Sequence, residues 1–291
     1  MRQPLYCLLC AAGLLAAVSP VEAQPLGGHY PAGSEGIKAA SLPPPGVYLR
    51  DYNQFYFADD YRDGPPGFNV LVYVNAPRLI WITDFKILGG FYGMDALIPL
   101  GYVDIEADSP QPNDSRFSIG DLCLEPITIS WHTKQFDVAV GYAIWVPTGD
   151  FDVNNAAQLG KGFWSHMITA GATWYIDEQK TWSLSALNRY EIHHEHEDFN
   201  ITPGNTWTLE WGLGKSVTKT VELGVVGYYQ AQMTEDDPDS GAKDHVVAIG
   251  PEISTFCPKL GMFASLRYLH EFAAKDRSEG HNIMLTLTKR F

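Results

Sequence analysis

His193, His194, Glu195 and His196 have the donor types of a transition-metal site, and Asp150, Asp152 and Asn154 have the spacing that opens a calcium loop. Neither cluster meets the full requirement of its metal. If residues 181–195 form a strand, successive side chains point to opposite faces, so only alternate members of the histidine run could meet one ion; a polar loop entrance is the better reading. In the second cluster Asn155 stands where the sharp turn wants glycine, and Lys161 where the bidentate acid belongs. The chain has no G-x-S-x-G elbow, H-E-x-x-H pair or phosphate-cradling glycine loop, so neither metal nor cofactor is expected. A serine, a histidine and an acid drawn from separate strands could still build a lipid or ester hydrolase, and the sequence leaves that reading open.

What must position these residues is a set of long strands. From Val47 onward apolar residues recur every second position, in segments longer than those usual in soluble sheets. In residues 282–291, Ile283, Leu285, Leu287 and Phe291 share one side, and Asn282, Met284, Thr286, Thr288 and Arg290 the other. Trp207, Leu209, Trp211 and Leu213 alternate in the same way with Thr208, Glu210, Gly212 and Gly214. Large apolar side chains on one face and small or polar ones on the other suit a barrel with lipid outside and a wet lumen, the reverse of a soluble sandwich. The fold class read from this pattern is all-β: a transmembrane antiparallel barrel of about twelve strands over residues 47–291. The segments are 47–57, 68–85, 90–105, 117–131, 135–146, 163–175, 181–195, 205–215, 219–234, 243–257, 260–272 and 281–291. Short connections alternate with long ones, as expected of periplasmic turns and extracellular loops. Trp131, Trp145, Trp164, Trp174, Trp182 and Tyr268, near strand ends, fit interfacial girdles, although several suit the core or lumen equally.

On these strands the inward face carries Arg50, Asp121, Arg189, Glu191, Glu210, Glu222, Glu252, Arg267 and Arg290, and Tyr48, Tyr52 and Tyr56 share the face of Arg50. Opposite charges in a narrow lumen pair across strands rather than stand desolvated alone, so bracing of the barrel outranks solute selection for the charged ladder. The tyrosines offer flat surfaces to an aromatic guest, and lumen filling explains them as well.

Composition agrees with export. Residues 1–23 have one charge at Arg2, an apolar stretch from Leu5 to Val18, and Val21-Glu22-Ala23 before the cut, the pattern of a signal peptide. Cys7 and Cys10 leave with it; Cys123 and Cys257 could pair in an oxidising compartment, but they fall on distant strands, so two separate thiols are the expected reading. Residues 24–46 are rich in Gly, Pro and Ala and form either a periplasmic arm or a segment tucked into the lumen. The net charge of -14 disfavours nucleic acid. The partners expected instead are outer-membrane lipids and lipopolysaccharide, the barrel-assembly machinery through the terminal Phe291, and a small hydrophobic solute.

A resemblance covers essentially the whole mature chain. His29-Tyr30-Pro31-Ala32-Gly33-Ser34-Glu35-Gly36-Ile37 and Leu42-Pro43-Pro44-Pro45-Gly46-Val47-Tyr48 open it. Gly120-Asp121-Leu122, Val146-Pro147-Thr148-Gly149-Asp150-Phe151, Leu209-Glu210-Trp211-Gly212-Leu213-Gly214 and Gly250-Pro251-Glu252-Ile253 continue it in order. The chain resembles the outer-membrane family named for the meta-pathway of phenol degradation. That resemblance implies an outer-membrane channel for uptake of small hydrophobic compounds, aromatic ones among them, and supplies no site residue. The alternatives are an outer-membrane lipid or ester hydrolase and a sealed structural barrel.

Overall fold

The computed structural model describes residues 27–108, 113–239 and 243–291. The expected signal peptide, residues 1–23, lies outside them. Among the described residues fourteen strand segments follow one another: β1 (Gly46–Ala58), β2 (Asn69–Ile87), β3 (Gly90–Leu97), β4 (Leu100–Glu106), β5 (Asp114–Ile119), β6 (Leu122–His132), β7 (Phe136–Val146), β8 (Ser165–Tyr175), β9 (Trp182–His193), β10 (Thr206–Ser216), β11 (Val221–Gln232), β12 (His245–Cys257), β13 (Met262–Lys275) and β14 (His281–Arg290). All pair antiparallel, each with its chain neighbour from β6 round to β14. The barrel closes because β1 pairs on both sides, with β14 from Tyr48↔Arg290 to Phe57↔His281 and with β2 from Gly46↔Ile82 to Ala58↔Val70.

The wall has twelve staves, because two of the expected strands are each interrupted once. The third stave is split into β3 and β4 at Ile98-Pro99, and both pieces pair with the long β2. Pro99 has no N–H to give the ladder, which is why a single expected strand over residues 90–105 breaks there. The fourth stave is split into β5 and β6 at Gly120-Asp121, where Gly120 N donates to Pro99 O at 2.8 Å. Beside β5 the place of a seventh-strand continuation is taken by the connection after β7: Asp150 N donates to Ile119 O at 2.8 Å and Leu159 N to Ser118 Oγ at 3.0 Å. A bulge in β6 between Leu124 and Ile127 shifts the pairing with β7, in the stretch where alternation is hardest to read.

Alternation sorts the side chains as the lipid-out pattern requires. Along β10, Thr206, Thr208, Glu210, Gly212 and Gly214 are buried and Leu213 is exposed. On β14, Asn282, Met284, Thr286 and Thr288 are buried while Leu285 is exposed. Trp164, Trp174 and Trp182 are exposed near the strand ends, as girdle residues would be, whereas Tyr268 is exposed at the middle of β13. Trp145 is not one of them: it follows the outward Ile144 by one residue, so it turns inward and is buried. Cys123 on β6 is buried and Cys257 ends β12; neither is bonded to the other.

Candidate functional site

The lumen is occupied by the chain's own residues 28–45. These run from the end that carries the long connections, where His29 sits, to the end with the short turns, where the Tyr48 hydroxyl donates to Pro44 O and Arg290 Nη2 to Pro45 O. The segment has no regular strand or helix, so its backbone N–H and C=O groups need partners from the wall. Carboxylates supply them. Glu191 Oε1 accepts from His29 N at 3.0 Å and Tyr30 N at 3.1 Å, Glu210 Oε1 from Glu35 N at 2.9 Å, and Glu252 Oε2 from Ile37 N at 3.0 Å. Arg267 Nη1 donates to the carbonyls of Gly33 and Ser34 at 3.1 and 2.6 Å, Gln230 Nε2 to Tyr30 O at 3.0 Å, and Asn282 Nδ2 to Ala32 O at 3.2 Å. Lys38 pairs with Glu222.

All of those partners except Tyr48 lie on β9–β14, and the wall there is hollowed to admit the segment. A Cβ on Gly212 would stand 2.9 Å from Gly36 O, and one on Gly214 or Gly224 would stand 2.5 or 2.7 Å from an Ile37 side-chain carbon. Only glycine allows backbone to approach a wall this closely.

Beside the segment two cavities remain. The one at the loop end measures about 990 Å³ and is bounded by Tyr30, Val72, Val74, Leu97, Trp145 and Met284 among others. The one at the turn end measures about 750 Å³ and is bounded by Leu42, Tyr48, Ile80, Phe256 and Arg290. Glu35, Arg78, Glu125 and Arg189 line both, so this layer separates them. Its charges are paired: Arg50 Nη1 with Glu35 at 3.1 Å, Arg78 Nη2 with Asp95 at 2.7 Å and with Glu125 at 2.6 Å, and Arg189 Nη1 with Glu210 at 2.6 Å. The Tyr52 hydroxyl donates to Glu35 at 2.7 Å. Without those partners each ion would bear an uncompensated desolvation cost.

At the loop end a hydrogen-bond chain fastens the start of the segment. His29 Nε2 lies 3.1 Å from Asp121 Oδ2 and His29 Nδ1 lies 2.8 Å from Ser165 Oγ. Ser165 Oγ lies 2.6 Å from His193 Nδ1, and His193 Nε2 lies 3.2 Å from Thr206 Oγ1. Burial pushes the Asp121 carboxyl up, but hydrogen bonds from His29 and from the N–H groups of Lys161 and Gly149 outweigh it and hold the group below its ordinary value. An ionised Asp121 only accepts, which fixes one direction for a neutral chain: His29 Nε2–H gives to Asp121, Ser165 O–H to His29, His193 Nδ1–H to Ser165, and Thr206 O–H to His193. Desolvation lowers the Lys161 ammonium, against the pull of Glu191 and Asp121.

Every residue singled out from the sequence as lumen-lining faces inward or sits on the rim. Tyr48, Tyr52, Asp121, Arg189, Glu191, Glu210, Glu252 and Arg267 are buried, Arg50, Tyr56 and Glu222 partly so, and Arg290 is exposed at the turn end. Their partners include the segment 28–45, one another and further wall residues. Tyr56, for instance, donates to Glu271 at 2.7 Å. The histidine run divides as alternation requires. His193 turns into the hydrogen-bond chain, His194 packs outside against His166 with ring centres 4.9 Å apart, and His196 is caged by Phe151 and Phe199. Asp152 accepts from Asn154 N at 2.9 Å in a local turn. Sequence reasoning did not single out His29, Glu35, Arg78, Asp95, Glu125 or Ser165 as site residues. The inward glycines at 212 and 214, facing nothing that a barrel wall alone explains, were the available signal for an occupied lumen.

Residues 52–287 match the family described as the MetA-pathway of phenol degradation. The chain belongs to this family. Among solved structures, an outer membrane channel from Pseudomonas putida F1 superposes with a TM-score of 0.78 at 14% identity, covering 87% of this chain and 98% of the other. The β domain of the Bordetella autotransporter BrkA reaches a TM-score of 0.52 at 9% identity, with 86% of this chain and 100% of the other covered. The translocator domain of the autotransporter NalP from Neisseria meningitidis reaches 0.50 at 11%, covering 87% and 91%. At these identities the likeness is one of fold, and the fold shared is the outer-membrane barrel. A comparison with curated proteins finds no sequence match. The matched residues include the motifs from Gly120-Asp121-Leu122 to Gly250-Pro251-Glu252-Ile253.

Proposed function

We propose that this barrel is a non-enzymatic outer-membrane channel that admits small hydrophobic molecules, aromatic ones included, and that residues 28–45 set how far they pass. The observation that carries the reading is the loop-end cavity. It is sized for a small organic guest and has an apolar wall of Val72, Val74, Leu97 and Met284, and it stops at the paired charges around Glu35. A wide aqueous pore does not fit a twelve-stave barrel whose lumen is this full. The test is conductance and aromatic-solute uptake in vesicles containing the full-length protein and its Gly36→Val variant. A Cβ at Gly36 would stand 1.7 Å from the Glu252 oxygen that accepts from Ile37 N, so that carboxylate must let go of the segment or the segment must shift, and with the segment loosened both fluxes should rise. A barrel that passes neither ions nor solute in either form would be a sealed scaffold, and the reading would fall.

One observation favours the hydrolase alternative: Asp121, His29 and Ser165 stand in the order acid, base, nucleophile. Two others weigh against it. Ser165 is fully buried and borders neither cavity, and its oxygen is already engaged by His193. A nucleophile needs an open approach to the carbonyl it attacks, so the chain reads as a fastening for the segment. Ester or phospholipid turnover in detergent that Ser165→Ala abolishes would reverse this.

A further inference from the structure

Lysine is distributed unevenly along the barrel axis. Seven of the chain's eleven lysines stand at the end with the short turns. Lys86 closely precedes the β2–β3 turn, Lys134 lies in the β6–β7 turn and Lys180 in the β8–β9 turn. Lys215 and Lys219 flank Val217 at the β10–β11 turn, Lys259 lies in the β12–β13 turn, and Lys289 is on β14 where that strand pairs with β1. Every short turn has one, and so has the seam where the barrel closes, so the lysines form a complete ring. None of the seven is ion-paired among the described residues, whereas Lys38, Lys243 and Lys275 are. The ammonium groups that do make contacts make them to neutral groups. Lys180 Nζ donates to Thr133 O at 3.1 Å and lies over the Tyr175 ring, and Lys215 Nζ donates to Thr181 Oγ1 at 2.9 Å and lies over the Trp182 ring. Lys289 Nζ donates to Leu260 O, and Lys86 lies over the Phe91 ring. Such contacts orient an ammonium without neutralising it.

Acids do not balance this ring. Asp84 and Glu178 are exposed at the same end, and Asp177 is taken up by its own turn, accepting from Thr181 N, Thr181 Oγ1 and Trp182 N. Asp137 and Glu222 are engaged by Ser41 and Lys38 of the lumenal segment. The chain's negative charge gathers at the opposite end instead, in the runs Asp59-Asp60, Glu197-Asp198 and Glu235-Asp236-Asp237 of the long connections. Each lysine of the ring also has a large apolar side chain exposed within two residues of it. Phe85 and Leu88 flank Lys86, Phe136 follows Lys134, Trp182 follows Lys180, Val217 lies between Lys215 and Lys219, Leu260 follows Lys259, and Phe291 follows Lys289. Exposed apolar groups in turns suit the boundary of a hydrocarbon layer, and an ammonium on a four-carbon stem beside them reaches out to the level of the phosphates.

We infer that the turn end of the barrel is a docking surface for anionic glycerophospholipids, the lysine ring holding their headgroup phosphates while the apolar residues beside it enter the acyl layer. The assignment is independent of what the lumen passes. An anionic headgroup complements an unneutralised cationic rim, whereas a zwitterionic one brings a cation of its own and gains less. The acidic loop end has the opposite preference, so the two ends of the barrel favour leaflets of different charge.

The test measures which lipid the barrel holds. The full-length protein is placed in phosphatidylcholine vesicles with a trace of spin-labelled phosphatidylglycerol or spin-labelled phosphatidylcholine, and the motionally restricted fraction of each label is compared. Phosphatidylglycerol should associate about threefold more strongly, the size of an exposed charge pair, and raising salt to about 0.5 M should shrink the difference. Lys→Gln at all seven positions should abolish the preference, Lys→Arg at the same positions should keep it, and Lys243→Gln with Lys275→Gln at the loop end should leave it unchanged. Should the sevenfold Gln variant lose the heat-modifiable gel band of a folded barrel, Gln at Lys134, Lys219 and Lys259 alone, all exposed in turns, should remove part of the preference. Equal association of the two lipids with the natural protein would overturn the assignment, as would a preference that survives the Gln variants or that the loop-end pair removes equally. A rim that serves only the mouth of the pore would show altered ion selectivity in the Gln variants with lipid association unmoved, and that too would overturn it.

Discussion

The two sides of the lumen are built on opposite plans. Along β9–β14 the wall is a seam. Glycines 212, 214 and 224 let the backbone of residues 36–37 approach, and Glu191, Glu210 and Glu252 each accept from its N–H groups. Along β1–β6 the wall stands back, with Val72, Val74, Ala76 and Leu97 facing space and with its charges, Arg78, Asp95 and Glu125, satisfying one another. A carboxylate on the seam is matched to a backbone that cannot change its chemistry, so its role is structural. On the open side the apolar residues border the loop-end cavity, which gives a solute room beside them.

Breaking the open wall's ion cluster should cost most. Arg78→Leu leaves Asp95 and Glu125 buried without their cation, and we expect a loss of about 3–5 kcal/mol in denaturant unfolding from detergent. Adding Asp95→Asn and Glu125→Gln should recover most of it; no recovery would mean that Arg78 acts through Glu35 and that the two sides are not independent. Next in size is a swap of bulk between the sides. Gly214→Val drives a side chain into Ile37, should cost about 1–3 kcal/mol and should raise conductance by displacing the segment. Ala76→Val, which only fills the loop-end cavity, should lower solute uptake without opening the pore; identical phenotypes would erase the distinction.

A smaller effect is expected where the segment is fastened by neutral hydrogen bonds. Ser165→Ala removes the link between His29 and His193 and should destabilise by about 1–3 kcal/mol, at or below the overpacking effect, since it leaves two imidazole nitrogens unpaired. Amide exchange at His29 and Tyr30 should speed up while exchange at Ile37 stays slow. The smallest effect lies outside the lumen, where Arg62 donates to Glu279 at 2.8 Å and holds that carboxyl below its ordinary value. A depressed acid stabilises above its unfolded value and loses that contribution as pH falls through the folded one. Proteolysis of residues 59–68 by an acid-active protease should therefore accelerate only once the pH falls below the ordinary carboxyl range, and that acceleration should be lost in Glu279→Gln.

The staves were legible because alternation is a local property. Lipid on one side and polar matter on the other impose a period of two on every strand, and no distant contact is needed to read it. Even the break at Pro99 was visible as a missing N–H, though residues 90–105 read as one strand. For the same reason each inward charge could be placed on its face, from Arg50 on β1 to Arg290 on β14.

What alternation carries no information about is the far side of the lumen. The Gly/Pro-rich stretch before β1 reads equally as an arm or as an occupant, because a segment without periodicity reveals nothing of its surroundings. Only closure of the barrel brings Glu210 to Glu35, Ser165 to His29 and Gln230 to Tyr30, pairs separated by more than a hundred residues. The sequence by itself determined which side chains face in. Which of them meet the chain's own backbone and which face empty space was decided by tertiary structure, since hydrogen-bond partners are chosen by distance in space and not along the chain.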